Sequence, residues 1–254
     1  MALALLTLPL MPLQLAAVAL FPRFAGAIPG LYHRLGARIL GLRIRVQGMP
    51  AAQRPLLIVA NHVSWLDIPA IASALPVSFV AKQEVGSWPV FGWLAKLQRS
   101  VFIDRARRQQ SASANDEIAA RLIAGDAMVL FAEGTSSDGS GVLPFRSALI
   151  GAATSACARL PAGKMFIQPL AIAYVGEAAS MAPWHGDMDL VPHFSEVLRA
   201  PALDAVLSWG EPILYSRQSD RKAAAKELEE EVRALARRAH ALAHALAHAG
   251  VQAA

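Results

Sequence analysis

Five short, unbroken apolar runs separated by helical patterns set the tightest limit on what this chain can become. They are Pro55–Ala60, Val77–Ala81, Ser100–Ile103, Ala127–Ala132 and Met165–Tyr174. A strand with one wet face alternates polar and apolar residues, whereas a run without alternation suits a strand covered on both faces. Between the runs, Leu66–Leu75, Ser111–Ala124 and Ser147–Arg159 carry apolar residues at helical spacing. Strands alternating with helices predict an α/β fold, a mostly parallel central sheet flanked by helices. The 254 residues suffice for one such domain with an appendage. With 55% hydrophobic and 17% charged residues, disorder is excluded as the overall description, and one cysteine excludes an internal disulfide framework.

The appendage is expected at the N-terminus. From Met1 to Pro22 no side chain is charged, and only Thr7 and Gln14 are clearly polar. A helix of that length crosses a hydrocarbon core of about 30 Å, although Pro9 and Pro12 are expected to break or kink it. Ala25-Gly26-Ala27 has the form of a signal-peptide cleavage site, but the run lacks a basic leading region and Arg23 precedes the site, which favours a retained anchor. Arg23, Arg34, Arg38, Arg43 and Arg45 all come before the first acidic residue, Asp67. The positive-inside rule then places the downstream chain on the cytoplasmic face of the inner membrane. Ala27–Leu42, with arginines among its apolar residues, reads as an interfacial helix. From Ser219 the chain turns into Ala, Lys, Glu, Arg and Leu, a long solvated helix. The expected division is therefore membrane-anchoring helices over 1–48, an α/β body over 49–217 and a solvated helix over 218–254.

The chemistry gathers directly after the first run, at Asn61-His62-Val63-Ser64-Trp65-Leu66-Asp67. On a continuous helix, residues five apart point about 140° away from each other. His62 and Asp67 can meet only if His62 precedes a helix whose first turn holds Asp67, with Ser64 as its N-cap. Asp67 would then fix one imidazole nitrogen and leave the other to take a proton. This is the base and orienter of nucleophilic catalysis without a convincing nucleophile, as suits a substrate that brings its own hydroxyl. On spacing alone, a capping Asp67 beside an unrelated surface histidine fits equally well.

Asn-His-x-Ser-x-x-Asp after an apolar strand resembles the first motif of the glycerolipid acyltransferases, the 1-acyl-sn-glycerol-3-phosphate acyltransferase family. Further matches follow in order: Val101-Phe102-Ile103-Asp104-Arg105, Phe131-Ala132-Glu133-Gly134-Thr135 and Ile167-Gln168-Pro169-Leu170-Ala171-Ile172, with Lys82, Pro89 and Gly92 in the intervening segment. The resemblance covers roughly residues 45–180. It implies transfer of an acyl chain from acyl-CoA or acyl carrier protein to a lysolipid hydroxyl, without a metal, a cofactor or an acyl-enzyme. His62 would be the base and Asp67 its partner. Asn61, Ser64, Lys82, Arg105, Glu133, Gly134, Thr135 and Ser136 would bind substrate, Arg105 touching the acceptor and Glu133 with Gly134 positioning it. The N–H groups of Val63–Trp65, or a basic residue, would stabilise the oxyanion.

Two positions depart from the pattern, Ala132 for proline and Ser136 for the arginine of many lysophosphatidate acyltransferases. A guanidinium clamps a phosphomonoester through two hydrogen bonds, and a serine brings no charge. Glu133 to Gly139 also resembles the version in relatives that acylate lyso-ornithine lipid. The leading expectation is phosphatidate synthesis, the alternative is lyso-ornithine lipid acylation, and a non-catalytic membrane scaffold is a rival from another class.

Other features receive plainer readings. Trp88, Phe91 and Trp93, flanked by Lys82 and Lys96, fit an interfacial patch or core packing equally. The histidine and aspartates of Trp184–Asp189, with His193, match no zinc or calcium spacing, and His240, His244 and His248 read as a half-solvated helix face. Arg105-Ala106-Arg107-Arg108 lacks interleaved aromatics, so no nucleic-acid partner is expected.

Overall fold

The structure is a computed structural model that describes residues 1–21, 25–104 and 108–252, with side chains omitted at 108–112, 244 and 246–252. Its strands are β1 (Leu42–Gln47), β2 (Leu56–Ala60), β3 (Ser78–Lys82), β4 (Val101–Ile103), β5 (Ala127–Phe131), β6 (Lys164–Val175), β7 (Leu203–Trp209) and β8 (Ile213–Ser216). Its helices are α1 (Ala2–Leu20), α2 (Ala27–Ile39), α3 (Asp67–Ala74), α4 (Phe91–Leu97), α5 (Arg108–Ile123), α6 (Gly151–Arg159), α7 (Leu190–Arg199) and α8 (Arg221–Gln252). The sheet runs β1-β7-β6-β2-β5-β3-β4, with β8 beside the first half of β6. The pairs β1/β7, β6/β2, β2/β5, β5/β3 and β3/β4 are parallel, and the pairs of β6 with β7 and β8 are antiparallel.

The absence of alternation in β2 has the expected cause. Leu57 and Val59 face a core shared with α5, α6 and α8, while Leu56, Ile58 and Ala60 face one shared with α2, α3 and α7. All five are fully buried. Both faces of the strand are dry, so both are apolar.

Several expectations change. β1, assigned to the anchor, pairs along its whole length with β7 and belongs to the body. The expected interfacial helix accordingly ends at Ile39, and Gly41 turns the chain into β1. The C-terminal helix is not simply solvated: Ala225, Leu228, Val232 and Ala239 are buried against the sheet. Pro9 and Pro12 do not interrupt α1. Both sit at exposed positions, so the carbonyls they leave unpaired are not sealed inside the protein.

Candidate active site

The parallel register brings distant motifs to one end of the sheet. Ala60 is level with Phe131, so His62 and Glu133, each two residues further on, leave neighbouring strands side by side. Lys82 ends β3 next to β5. In open α/β sheets, ligands gather beyond the carboxyl ends of such strands.

β2 stops at Ala60 while β6 continues to Val175, and this overhang shapes the site. Asn61 Nδ2 donates to Ile172 O at 2.9 Å, and Ile172 N donates to Asn61 Oδ1 at 2.8 Å. The side-chain amide thus extends the ladder by one rung after the backbone has left it. Asn61 is buried with both amide ends occupied, which replaces the expectation that it binds substrate. Two residues further along β6, Tyr174 donates its hydroxyl to Asp67 Oδ1 at 2.9 Å.

Asp67, the first residue of α3, is fully buried. Its Oδ2 lies 2.7 Å from His62 Nδ1 and also accepts the Val63 N–H at 2.7 Å and the Ser64 N–H at 3.1 Å. A carboxylate acts as acceptor only, so Nδ1 carries the ring hydrogen and Nε2 presents a lone pair. The geometry answers the question that spacing left open: His62 and Asp67 face each other. It also revises two expectations. Ser64 Oγ, buried and without a partner, caps nothing: α3 begins at Asp67 with Leu66 in the N-cap position, and the Asp67 N–H donates to the Ser64 carbonyl at 3.1 Å. The same bonds consume the Val63 and Ser64 N–H groups, so neither is available to an oxyanion.

The imidazole is also held from its face. The Phe131 ring stacks on it at 4.0 Å between centroids and 15° between planes, and Phe79 stacks behind Phe131 at 6.0 Å. The His62 carbonyl accepts hydrogen bonds from Ser137 N at 2.8 Å and Ser137 Oγ at 3.2 Å. Glu133 lies behind the cavity wall instead of in it, which revises its expected place against the acceptor. Its Oε1 accepts Leu143 N–H at 3.0 Å and its Oε2 accepts His62 N–H at 3.4 Å. Burial pushes the Glu133 carboxyl up to about 8, against the smaller opposing effect of those two N–H donors. Gly134 follows with φ +79°, a left-handed turn that carries the chain back toward the cavity.

His62, Lys82, Gly134, Thr135 and Ser136 line one cavity of about 550 Å³. It runs from His62 between the sheet and the two N-terminal helices, with walls from Leu3 and Leu10 of α1 and Ile28 of α2. The aromatic trio divides: Trp88 and Phe91 line the cavity, and Trp93 is 58% exposed with Lys96 Nζ 5.9 Å from its ring centroid. Arg105 lies outside the described residues. Sequence reading missed Tyr174, and only its place as a polar-tipped aromatic in a long apolar strand hints at a buried partner. It also missed the cavity walls, which come from α1, α2, α3, α4 and α7 together with strand ends and loops.

Fold and site together define an α/β protein with a histidine and a buried carboxylate beside a largely apolar chamber at the carboxyl ends of its strands. The chain belongs to the Acyltransferase family, whose family model matches residues 43–173, just over half its length. It is 46% identical over 238 residues to a lyso-ornithine lipid O-acyltransferase of Brucella abortus, covering 91% of this chain and 89% of that protein. It is 33% identical over 205 residues to a 1-acyl-sn-glycerol-3-phosphate acyltransferase of Neisseria meningitidis, covering 79% and 76%. Its fold matches the crystal structure of a 1-acyl-sn-glycerophosphate acyltransferase from Thermotoga maritima with a TM-score of 0.55 at 20% identity, over 92% of this chain and 95% of the other. The protein is an acyltransferase with an α/β core of that fold.

Proposed function

We propose that this acyltransferase moves a fatty acyl chain from a thioester, carried by coenzyme A or acyl carrier protein, to the hydroxyl of lyso-ornithine lipid. The observation that carries the mechanism is the 2.7 Å contact of His62 Nδ1 with buried Asp67, which leaves Nε2 to face an acceptor. Nε2 takes the hydroxyl proton as the oxygen attacks the thioester carbonyl. The C–S bond then breaks, and the imidazolium returns the proton to the departing thiolate. Asp67 steadies the imidazolium, and assistance of this kind is worth about 10²–10⁴-fold. With the Val63 and Ser64 N–H groups occupied, the Trp65 N–H, Lys82 and the Thr135–Ser136 turn, which share the cavity, are the candidates for the oxyanion. Water excluded from the apolar chamber does not compete for the thioester.

Two observations favour lyso-ornithine lipid over lysophosphatidate. The relatives at 46% and 41% identity carry that name, and Ser136, on the cavity wall, offers no cation to a phosphomonoester. We place the protein at the cytoplasmic face of the inner membrane. α1 is long and apolar enough to cross a membrane, with mean hydropathy 2.0. Purified full-length protein in mixed micelles, given each lysolipid and one labelled acyl thioester, tests the acceptor. Acylated ornithine lipid as the main product is expected, and labelled phosphatidate as the main product would overturn the assignment.

A further inference from the structure

Besides Lys82 and the Thr135–Ser136 turn, the largely apolar cavity carries a second band of polar side chains away from His62, and the hydrogen bonds of that band assign its protons. Thr7 and Gln14 of α1, Tyr32 and His33 of α2, and Gln98 just after α4 all line the cavity. Gln14 Nε2 donates to two carbonyls, Ala25 O at 2.9 Å and Leu97 O at 2.8 Å, which fixes the amide and leaves Oε1 buried without a partner. Thr7 Oγ donates to Leu3 O at 2.7 Å, so in its 3.1 Å contact with Tyr32 the phenol is the donor. Gln98 Nε2 donates to Val77 O at 3.3 Å, so its Oε1 accepts, and the hydrogen in the 2.8 Å contact with His33 sits on His33 Nε2. Burial holds His33 down to about 4, so the ring is neutral and its Nδ1 bears a lone pair.

The hydrogens of Thr7, Tyr32, Gln14 and His33 are therefore spent inside the band. Three acceptors remain: Gln14 Oε1, Tyr32 Oη and His33 Nδ1. An acceptor held in an apolar chamber is costly until a donor arrives. A plain hydrocarbon chain supplies no donor, and a hydroxyl supplies one. The band also lies far from the reacting centre. Gln98 O accepts the hydroxyl of Ser78, which is level with Met128, whereas His62 is level with Glu133. Five residues of strand separate those levels, roughly 17 Å.

Resting on the acyl-transfer reading above, we propose that the cavity binds a long acyl chain bearing a hydroxyl in its distal half, whose one hydrogen is donated to Gln14 Oε1, the acceptor that is buried without a partner. Such a chain reaches the protein on the thioester or on the lysolipid, and the test separates the two sources. Full-length protein is assayed with chains of equal length that carry a distal hydroxyl, a hydroxyl near the carbonyl, a distal ketone or no oxygen. Each is placed first on the donor and then on the acceptor. In one of the two arms the distal hydroxyl raises kcat/KM about tenfold over the plain chain, about 1.4 kcal/mol, while the ketone, an acceptor itself, gives no gain. Gln14→Leu and, as a separate variant, Gln14→Met narrow that ratio within the same variant, a readout that lost stability alone does not move. Equal kcat/KM for hydroxylated and plain chains in both arms overturns the proposal, as does a preference untouched by either variant. Failure to transfer any chain instead overturns the acyl-transfer reading on which the proposal stands.

Discussion

Tyr174→Phe isolates the part of the site that has no counterpart in the motifs. It keeps the ring that fills the space in β6 and removes the hydroxyl 2.9 Å from Asp67 Oδ1. That hydroxyl is a firm donor, because burial and the adjacent Asp67 charge push its ionisation well above the usual phenol range. Asp67 keeps its three donors on Oδ2 and loses the one side-chain donor on Oδ1. A hydrogen bond to a charged group is worth about 1.5–3 kcal/mol, and with Asp67 fully buried no water restores it. The expected stability loss is therefore about 1.5–3 kcal/mol, read as a lower denaturant midpoint with an unchanged slope. The kinetic consequence follows from position. Asp67 loses one of the hydrogen-bond partners that fix its carboxylate against His62 Nδ1, so kcat for acyl transfer is expected to fall about tenfold, about 1.4 kcal/mol, with a smaller change in KM. A variant that keeps the wild-type kcat would refute the view that Tyr174 acts through Asp67.

Other substitutions test the remaining contacts. His62→Ala is expected to lower acyl transfer by at least about 10²-fold while co-sedimentation with phospholipid vesicles is unchanged; wild-type activity would remove His62 from the mechanism. Glu133 carries a proton in the fold up to about pH 8 but is ionised in the unfolded chain above about 4.5, so the unfolded chain binds fewer protons and stability falls as pH rises through that window. Glu133→Gln is expected to flatten this fall in denaturant midpoints measured from pH 5 to 9, and an unchanged slope would contradict the burial argument. Asn61→Leu leaves Ile172 N–H and C=O unpaired beside the site and is expected to cost about 2–4 kcal/mol by the same midpoint measurement. Gly92→Ala places a Cβ 2.6 Å from Gly86 O, a backbone contact that cannot swing away, and a melting temperature equal to wild type would show that the segment relaxes around it.

The sequence made the layers of the fold readable because burial on both faces leaves a mark on every residue of a strand. β2 and β5 are apolar at every position, and both run within one residue of where that mark places them. β1 was hidden for the opposite reason. It lies at the sheet edge with Arg43, Arg45 and Val46 exposed, so its composition matched the basic segment around it. β7 and α7 likewise belong to no motif and became visible only as pieces of the same sheet and chamber. Within the site, His62 and Asp67 were legible because both lie in one seven-residue stretch whose local turn brings them together. Tyr174 was not, since its contact spans 107 residues and depends on β6 outrunning β2.

The same overhang accounts for the reassignments. A motif records which residues stay together along the chain, and a parallel sheet adds neighbours from far along it. Asn61 sits in the first motif beside the base, yet its neighbour in space is the continuing edge of β6, and a buried amide there serves best as a rung of the ladder. Ser64 sits where a helix cap belongs, but α3 starts three residues later at Asp67, and Ser64 contributes through its backbone: its N–H donates to the Asp67 carboxylate and its carbonyl accepts the Asp67 N–H. Glu133 sits level with the base, yet its two oxygens are drawn backward onto the N–H groups of His62 and Leu143. Asn61 and Glu133 thereby fix the chain at His62, and the Ser64 N–H helps to fix its partner Asp67. Among the motif residues and Lys82, the polar side chains that line the cavity and remain to meet the acceptor head are His62 itself, Lys82 and the Thr135–Ser136 turn. Specificity for the acceptor head is therefore expected to follow substitutions at that turn, and Ser136→Arg tests it most directly. A guanidinium on the cavity wall should raise kcat/KM for lysophosphatidate relative to lyso-ornithine lipid by about tenfold, the worth of one charge-assisted contact. An unchanged ratio would place the discrimination outside the turn.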